Sequence, residues 1–340
     1  MLIVNNYYRG TIMENQILWL NKKEVESLLD MKGTLNVVEE AFKQHGLKKV
    51  QMPPKLYLYF KNHNGDLRTM PAYLEEQDIT GVKIVNVHPD NPKKGLPTVM
   101  ALVILNSTVT GASIAIMDGT HLTDMRTGAA GGVAVKYLAR KNSKVVGFVG
   151  TGNQAKTQLL AINEVIDIEE VKATSISEKS NLAFKEEMEK KVGCEITAKR
   201  SIREVCDCDI LVTTTPSREP VVMNEWISEG THINAIGADA AGKEELDPAI
   251  LKRAKIVVDD IPQATHSGEV NVPISKKLIT VKDICAELGE VITGTKKARM
   301  SDSDITVFDS TGLAIQDVAT ADMVYQKALK ANMGMKLQQF

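Results

Sequence analysis

The stretch Val145-Val146-Gly147-Phe148-Val149-Gly150-Thr151-Gly152-Asn153-Gln154-Ala155 decides the fold. An apolar run of strand character enters Gly-x-Gly-x-x-Ala, and a helical pattern, QAKTQLLAINEV, follows at once. This is the setting a phosphate-binding turn needs. Gly150 permits the tight turn, and Gly152 lets a pyrophosphate approach the backbone. Ala155 keeps the helix close to the strand, whose following helix start offers amide donors and a positive dipole end. Alone, the pattern is a turn found in many α/β proteins. Flanked in this way, it points to a dinucleotide.

Downstream, strands and helices alternate. EVKATSIS, CEITAK, DILVTTTP, THINAIGAD, KIVVDD and ITVFDSTG have strand character, and KSNLAFKEEMEKKV, VMNEWI and PAILKRA have helical character. Such alternation predicts a parallel sheet with right-handed crossovers. Upstream the texture differs. From Asn21, apolar residues recur at helical spacing, with a break expected at Lys32-Gly33. Then come KLYLYF and GDLRTM about an Asn64-Gly65 turn, followed by GVKIVNV, VMALVIL and ASIAIMD, which read as a meandering sheet. TDMRTGAAGGVAVKYLAR predicts a helix whose small residues allow close packing, and AIQDVATADMVYQKALKAN a closing helix. The fold class is therefore α/β. A Rossmann-type parallel-sheet domain, 131–315, is inserted in a smaller α+β domain for substrate binding and dimerisation, 1–130 plus 316–340.

The 340 residues carry a formal net charge of -2, which favours a small-molecule partner over nucleic acid. No apolar run reaches the ~18 residues that span a bilayer, so no membrane partner is expected. The first residues lack the basic start and cleavage site of a signal peptide, so the expected location is cytoplasmic, with Met1 or Met13 as the start. Four cysteines, Cys194, Cys206, Cys208 and Cys285, have no zinc-like spacing and read as small buried thiols. No metal is expected.

Several charges fall where they cost free energy. Strand alternation puts Lys83 on one face with Val85 and Val87. An ammonium there must be paired or lose its proton, which suits proton transfer or imine chemistry. The alternative is an edge-strand lysine reaching solvent. Arg68 follows the hairpin turn, Lys55 opens the preceding strand and Arg126 stands at a helix start. Each alone reads as a surface charge; together they suggest an anionic substrate held by a forked guanidinium. Asp239 ends THINAIGAD, where it would polarise water or accept a proton, or else cap a following helix. The acid that usually holds the adenosine ribose is missing: Ser175-Ile176-Ser177 stands there, with Glu178 just beyond.

QMPPKLYLYF, GDLRTMPAYL, TGVKIVNVHPDNPKKGLPTVMALVILN, RTGAAGGVAVKYLAR, VTTTPSREPVV, GTHINAIGAD and ITVFDSTGLAIQDVA resemble the ornithine cyclodeaminase and mu-crystallin family, in the same order along the chain. Their wording is nearest to its archaeal-type alanine dehydrogenase branch. The resemblance implies a dimerising substrate domain with a barrel-like antiparallel sheet, and a domain for NAD, with NADP as the alternative. It implies that Arg68 and Lys83 hold the carboxylate of an amino or keto acid, with Lys55 and Arg126 near. Lys83 would be the acid/base, and Asp239 a catalytic acid. Cofactor contacts would come from Arg126, Thr127, Gly150, Gly152, Asn153, Gln154, Ala155, Ser175, Ile176, Ser177, Gly237, Ala238, Asp239 and Ser310. The activity implied is reversible oxidative deamination of alanine to pyruvate and ammonia by a homodimer. Within the same family the alternatives are ornithine cyclodeamination and ketimine reduction; outside enzymes, it is a binding protein without turnover. Ser175 and Ser177 depart from the family, whose members commonly carry an acid or an arginine there.

Overall fold

The computed structural model describes residues 16–339, so the expectation about the start, Met1 or Met13, lies outside the described residues. Contacts divide the described chain into two units. One comprises the residues up to Leu29, Val50–Thr123 and the residues from Asp317 on; the other comprises Asp30–Lys49 and Asp124–Gln316. The linear division at 130 and 315 had placed 30–49 in the first unit; by contacts that stretch groups with the second.

The second unit is built on eight strands. They are β8 (Val145–Val149), β9 (Glu170–Thr174), β10 (Glu195–Ala198), β11 (Ile210–Thr213), β12 (His232–Ala235), β13 (Lys255–Val258), β14 (Ile284–Glu287) and β15 (Thr306–Asp309). Their order, β10-β9-β8-β11-β12-β15-β13-β14, is parallel throughout. The order reverses at β8/β11, the position where doubly wound sheets bind ligands at their carboxyl edge. The strands are short, continuous apolar runs because both faces are covered; all four residues of β11, β12 and β15 are buried.

Helix α3 (Thr120–Leu138) packs against α4 (Asn153–Asn163) through its small residues. A Cβ on Gly128 would run into the Thr157 carbonyl, and one on Gly131 into the Gln158 amide. The small-residue pattern thus encodes a close helix approach, as expected. The break near Lys32-Gly33 falls earlier. Helix α1 (Lys22–Leu28) ends before Asp30, whose carboxylate caps α2 (Met31–Gly46) by accepting the Gly33 N–H at 2.6 Å. Gly33 is therefore inside the first turn, where an N-cap outweighs a glycine. Cys206 ends α6 (Ile202–Cys206) and is buried as expected, whereas Cys194, Cys208 and Cys285 are only half-buried.

The first unit carries the second sheet, with strands β1 (Gln16–Leu20), β2 (Val50–Gln51), β3 (Leu56–Phe60), β4 (Gly65–Leu74), β5 (Ile79–Val87), β6 (Val99–Asn106), β7 (Ser113–Asp118) and β16 (Met335–Gln338). β4 to β7 form the expected antiparallel meander. The path β16-β1-β7-β6-β5-β4-β2 has two ends, with β3 also paired to β4, and is open rather than a closed barrel. Asn64 takes a left-handed φ of 44° at the β3–β4 turn, and Phe60 pairs with Gly65, as the Asn-Gly signal predicts. Period-two burial along β4 and β5 puts Arg68, Met70, Ala72, Gly81, Lys83 and Val85 on the inner face. Among the described residues, no helix is long and apolar enough to cross a membrane.

Candidate active-site residues

In the first unit, Lys83 lies on β5, between β4 and β6. It is paired in register with Met70 and Val103. It is only 1% exposed, which excludes a lysine reaching solvent from an edge strand. Its Nζ donates to Asp317 Oδ1 at 2.8 Å, and the Asp317 side chain is fully buried. Asp317 lies in the first turn of α11 (Ala314–Ala331). A buried ammonium persists only when paired in this way. Asp317 was missed in the sequence, although an acid amid the small and apolar residues of LAIQDVATA is itself a signal.

Arg68 shares the inner face, opposite Val85 and so diagonal to Lys83. Its Nε and Nη2 donate to Asp66 at 2.8 and 3.2 Å, and its guanidinium lies 5.2 Å from the Tyr57 ring centroid. The planar fork is held from the side and from beneath, which fixes its direction. Lys55 sits just before β3, two residues from Tyr57, the strand partner of Arg68. It is partly buried. Strand parity puts Arg68 and Lys83 on one side of this sheet, while Lys55 stands just outside β3.

In the second unit, the residues expected to meet the dinucleotide gather at the carboxyl edge of the parallel sheet. Gly150 has a φ of 100°, its N–H donates to the Thr174 carbonyl, and a Cβ there would crowd Thr214. Gly152 is the N-cap of α4, and a Cβ added to it meets nothing within 4 Å. The space in front of this turn is open at the place a phosphate would take. Asn153 begins the helix, and Ala155 is fully buried against the sheet. Gln154 Nε2 donates to Asp124 Oδ1 at 2.7 Å, while its Oε1 is buried without a hydrogen-bond partner.

At the tip of β9 no carboxylate stands in. Thr151 Oγ1 donates to Ser175 Oγ, which donates to Asn181 Oδ1 at 2.6 Å. Ile176 is fully exposed. Ser177 caps α5 (Glu178–Val192) by accepting the Ser180 N–H.

Beyond β12, Gly237 donates its N–H to Glu245 Oε2 at 2.8 Å. Ala238 is buried, and Asp239 Oδ1 pairs with Lys243 Nζ at 2.6 Å with its side chain 40% exposed. Asp239 lies past the strand end, and the next α-helix, α7 (Pro248–Arg253), is capped by Asp247 rather than by Asp239. Ser310, at the end of β15, is buried with its Oγ lacking a hydrogen-bond partner. Arg126 is 6% exposed, donates Nη1 to Gln316 Oε1 at 2.8 Å, and rests against Gly312 at a φ of 78°. The Thr127 carbonyl accepts from Gln158 Nε2. An open glycine cap, with buried polar atoms of Gln154 and Ser310 left to be satisfied, fits a dinucleotide at this edge.

Beneath these loops lie fully buried carboxylates that sequence reasoning missed. Glu245 also accepts the Thr213 hydroxyl at 2.8 Å and the Thr215 N–H at 2.6 Å. Glu269 accepts the N–H groups of Glu245 and Leu246. Burial pushes both carboxyls above the usual range, and the charge of Glu245 raises Glu269 further. Asp259 accepts the N–H groups of Thr311 and Gly312 at 2.6 and 2.7 Å, shaping the turn after Ser310. Elsewhere in this unit, donor atoms of His45, Asp260 and Glu287 lie within 4.8 Å of one another. Lys48 Nζ already neutralises Glu287 at 3.0 Å, so the group reads as a brace between helix ends.

These features define the class of α/β proteins built around a doubly wound, dinucleotide-type sheet. The chain belongs to the ornithine cyclodeaminase/mu-crystallin family, whose model matches residues 15–332. It is 57% identical over 325 residues to the alanine dehydrogenase of Archaeoglobus fulgidus, covering 96% of this chain and 99% of that protein. It is 35% identical over 325 residues to a delta(1)-pyrroline-2-carboxylate reductase of Bacillus cereus, covering 95% of this chain and 100% of that one. Among solved structures, an archaeal alanine dehydrogenase dimer with bound NAD superposes with a TM-score of 0.93 at 57% identity, covering 96% of this chain and 100% of the other. The Thermococcus litoralis delta(1)-pyrroline-2-carboxylate reductase, in complex with NADH and L-proline, gives 0.91 at 44% identity, covering 94% and 99%.

Proposed function

We propose that the chain is an alanine dehydrogenase that interconverts L-alanine with pyruvate and ammonia using NAD(H). The observation that carries this reading is Lys83, buried to 1% exposure beside a braced arginine on one sheet face. Such an arrangement costs stability and is explained by proton chemistry on an anionic substrate. The 57% identity to an alanine dehydrogenase over nearly the whole chain supports the choice of amino acid.

In this reading Arg68 holds the substrate carboxylate, with Lys55 adding positive charge, and Arg126 is counted among the dinucleotide contacts. Gly150, Gly152, Asn153, Gln154 and Ala155 receive the pyrophosphate. Thr127, Ser175, Ile176, Ser177, Gly237, Ala238, Asp239 and Ser310 complete the dinucleotide contacts. When bound, NAD supplies hydride acceptance from the substrate Cα. Lys83 moves the proton. In the aminating direction its Nζ–H bond breaks and the proton goes to the departing hydroxyl of the carbinolamine, which leaves as water. In the deaminating direction Nζ takes the proton from the attacking water. A carboxylate-free tip at Ser175 to Ser177 sets no charge against a 2′-phosphate, so NADP is the second cofactor to test.

The outer face of the first unit's sheet is apolar, with Leu56, Leu58, Met100 and Leu102 each 36–55% exposed. A second copy of the chain is the proposed occupant, as the superposing archaeal alanine dehydrogenase was solved as a dimer.

Absorbance of the reduced nicotinamide tests the reading. Alanine with NAD should produce NADH, and pyruvate with ammonia should consume it. The second reading is reduction of a cyclic imino acid, supported by the 44% identity to the Thermococcus litoralis reductase. NADH consumption with delta(1)-pyrroline-2-carboxylate but not with pyruvate and ammonia would select it. Proline from ornithine with no net NADH would instead select cyclodeamination.

A further inference from the structure

We infer that Asp317 is a positioning residue that holds Lys83 as an ammonium, and so sets the pH range over which Lys83 exchanges its proton with substrate. The inference rests on the proposed function for the identity of the substrate, but its geometry is independent of it.

Nζ and Oδ1 are 2.8 Å apart, and the two side chains are 1% and 0% exposed. In such surroundings a lone lysine sheds its proton, whereas a carboxylate at contact distance retains it. Which partner carries the charge follows from position. Asp317 lies in the first turn of an 18-residue helix, where the positive dipole end favours an anion. Lys83 is on an interior strand and only 1% exposed. Its proton therefore passes to a group that enters beside it.

The other charged groups around the pair do not replace this control. From β4 comes Arg68, whose charge is set against Asp66, and Lys55 stands just before β3. A cation diagonal to Lys83 disfavours an ammonium there, so Arg68 makes its carboxylate partner more necessary. The inner positions of β6 and β7 are apolar: Ala101, Val103, Leu105, Ala115 and Met117. On α11, Val318, Thr320 and Ala321 follow, and the next titratable groups are Asp322 and Tyr325, further along the helix. From the start of α3, His121 is the remaining titratable group in this unit's part of that helix.

The test is the pH dependence of kcat for alanine oxidation in Asp317→Asn and Asp317→Glu. With the carboxylate gone, Lys83 becomes neutral at lower pH. The acidic limb should then move down by at least about one unit, a tenfold change in the lysine equilibrium. The reductive reaction should lose its basic limb by the same shift. Asp317→Glu, which keeps the charge, should hold the limb near its original place. An unmoved limb in Asp317→Asn overturns the inference. Should that variant not fold, the Lys83 13Cε signal of the native chain, assigned by its loss in Lys83→Arg, gives the same answer. An ammonium shift at pH 8 supports the inference, and a neutral amine overturns it. NADH titration and alanine turnover of the native chain judge the proposed function separately. A chain that binds NADH but does not oxidise alanine would sink that reading alone, leaving the lysine signal to decide this one.

Discussion

The Glu245 carboxylate accepts the Gly237 amide N–H at 2.8 Å, and through this bond a fully buried acid shapes a loop at the carboxyl edge of the parallel sheet. The same group takes the Thr213 hydroxyl and the Thr215 N–H, so the loops after β11 and β12 share one anchor. Gly237 is held so tightly that a Cβ on it would strike the Thr215 backbone. Glu245→Ala should strip three donors of their acceptor, at roughly 1–3 kcal/mol for each buried group left unsatisfied. Glu245→Gln keeps the shape and should cost less. NADH affinity, measured by fluorescence titration, should fall at least about tenfold in Glu245→Ala. An unchanged affinity would mean that these loops do not meet the dinucleotide.

Gly152 offers a cleaner probe of the same edge. A Cβ there meets no neighbouring side chain or loop within 4 Å, so Gly152→Val should keep the fold and cost only about 1 kcal/mol as a poorer N-cap of α4. The added methyls would occupy the space through which a pyrophosphate approaches the helix start. NADH binding should weaken by about tenfold or more. Equal binding by native and variant chains, seen by calorimetry, would move the dinucleotide away from this turn.

His232 makes acid sensitivity predictable. Its ring lies between Thr306 Oγ1 and Asn234 Oδ1, each at 2.9 Å, and burial pushes its pKa down to about 3. Above pH 6.5 both folded and unfolded chains hold it neutral, and its contribution is complete. Below 6.5 the unfolded chain takes up a proton that the folded chain refuses, so stability falls until about pH 3. The loss is roughly 1.4 kcal/mol per pH unit, or about 2 kcal/mol between pH 7 and 5. Glu245 and Glu269 act in the opposite sense. Their raised carboxyls hold protons the unfolded chain has lost, and that stability disappears as pH rises through their folded values. Denaturant titrations should show a shallower decline from pH 7 to 5 in His232→Gln than in the native chain. Parallel declines would mean that the buried ring is not the acid-sensitive group.

Association through the apolar sheet face is checked by a charge. Leu102, 40% exposed on β6, stands in register with Ile84. Leu102→Glu should place a carboxylate in the centre of that face, costing several kcal/mol if a second copy covers it. Sedimentation should then shift from dimer toward monomer without loss of secondary structure. A native chain that sediments as a monomer would remove the proposal altogether.

What was legible in the sequence follows physical rules of different reach. The parallel sheet was visible because buried strands are continuous apolar runs, and the Gly150–Ala155 turn because only glycine tolerates its φ and its close approach. Lys83 stood out because strand alternation is exact enough to place a charge on an apolar face. Its partner Asp317 lies more than two hundred residues away along the chain, and periodicity carries no such range. Glu245, Glu269 and Asp259 were hidden for another reason. Their work is to accept backbone N–H groups in loops, and loops have no period. β16, exposed along its length, and the five-residue β1 it pairs with were missed because they show little alternation to read.

Lys83 itself bears the heaviest prediction. Lys83→Met fills the same inner position with an unbranched apolar side chain. It also leaves Asp317 buried without its cation, which should cost about 3–5 kcal/mol, the usual penalty for breaking a buried pair. Lys83→Met with Asp317→Leu should recover much of that loss, because a buried ion pair is often replaceable by apolar groups at little net cost. Lys83 is on β5 and Asp317 on α11, neither of them part of the parallel sheet or its phosphate-type turn, so NADH affinity should stay within about threefold of the native value, under 1 kcal/mol. Alanine oxidation should fall by roughly 10²–10⁴, the span of a lost general acid or base. Stability restored in the double variant with activity still absent would separate the chemical role of the lysine from its structural one. Full kcat in either variant would take Lys83 out of the mechanism.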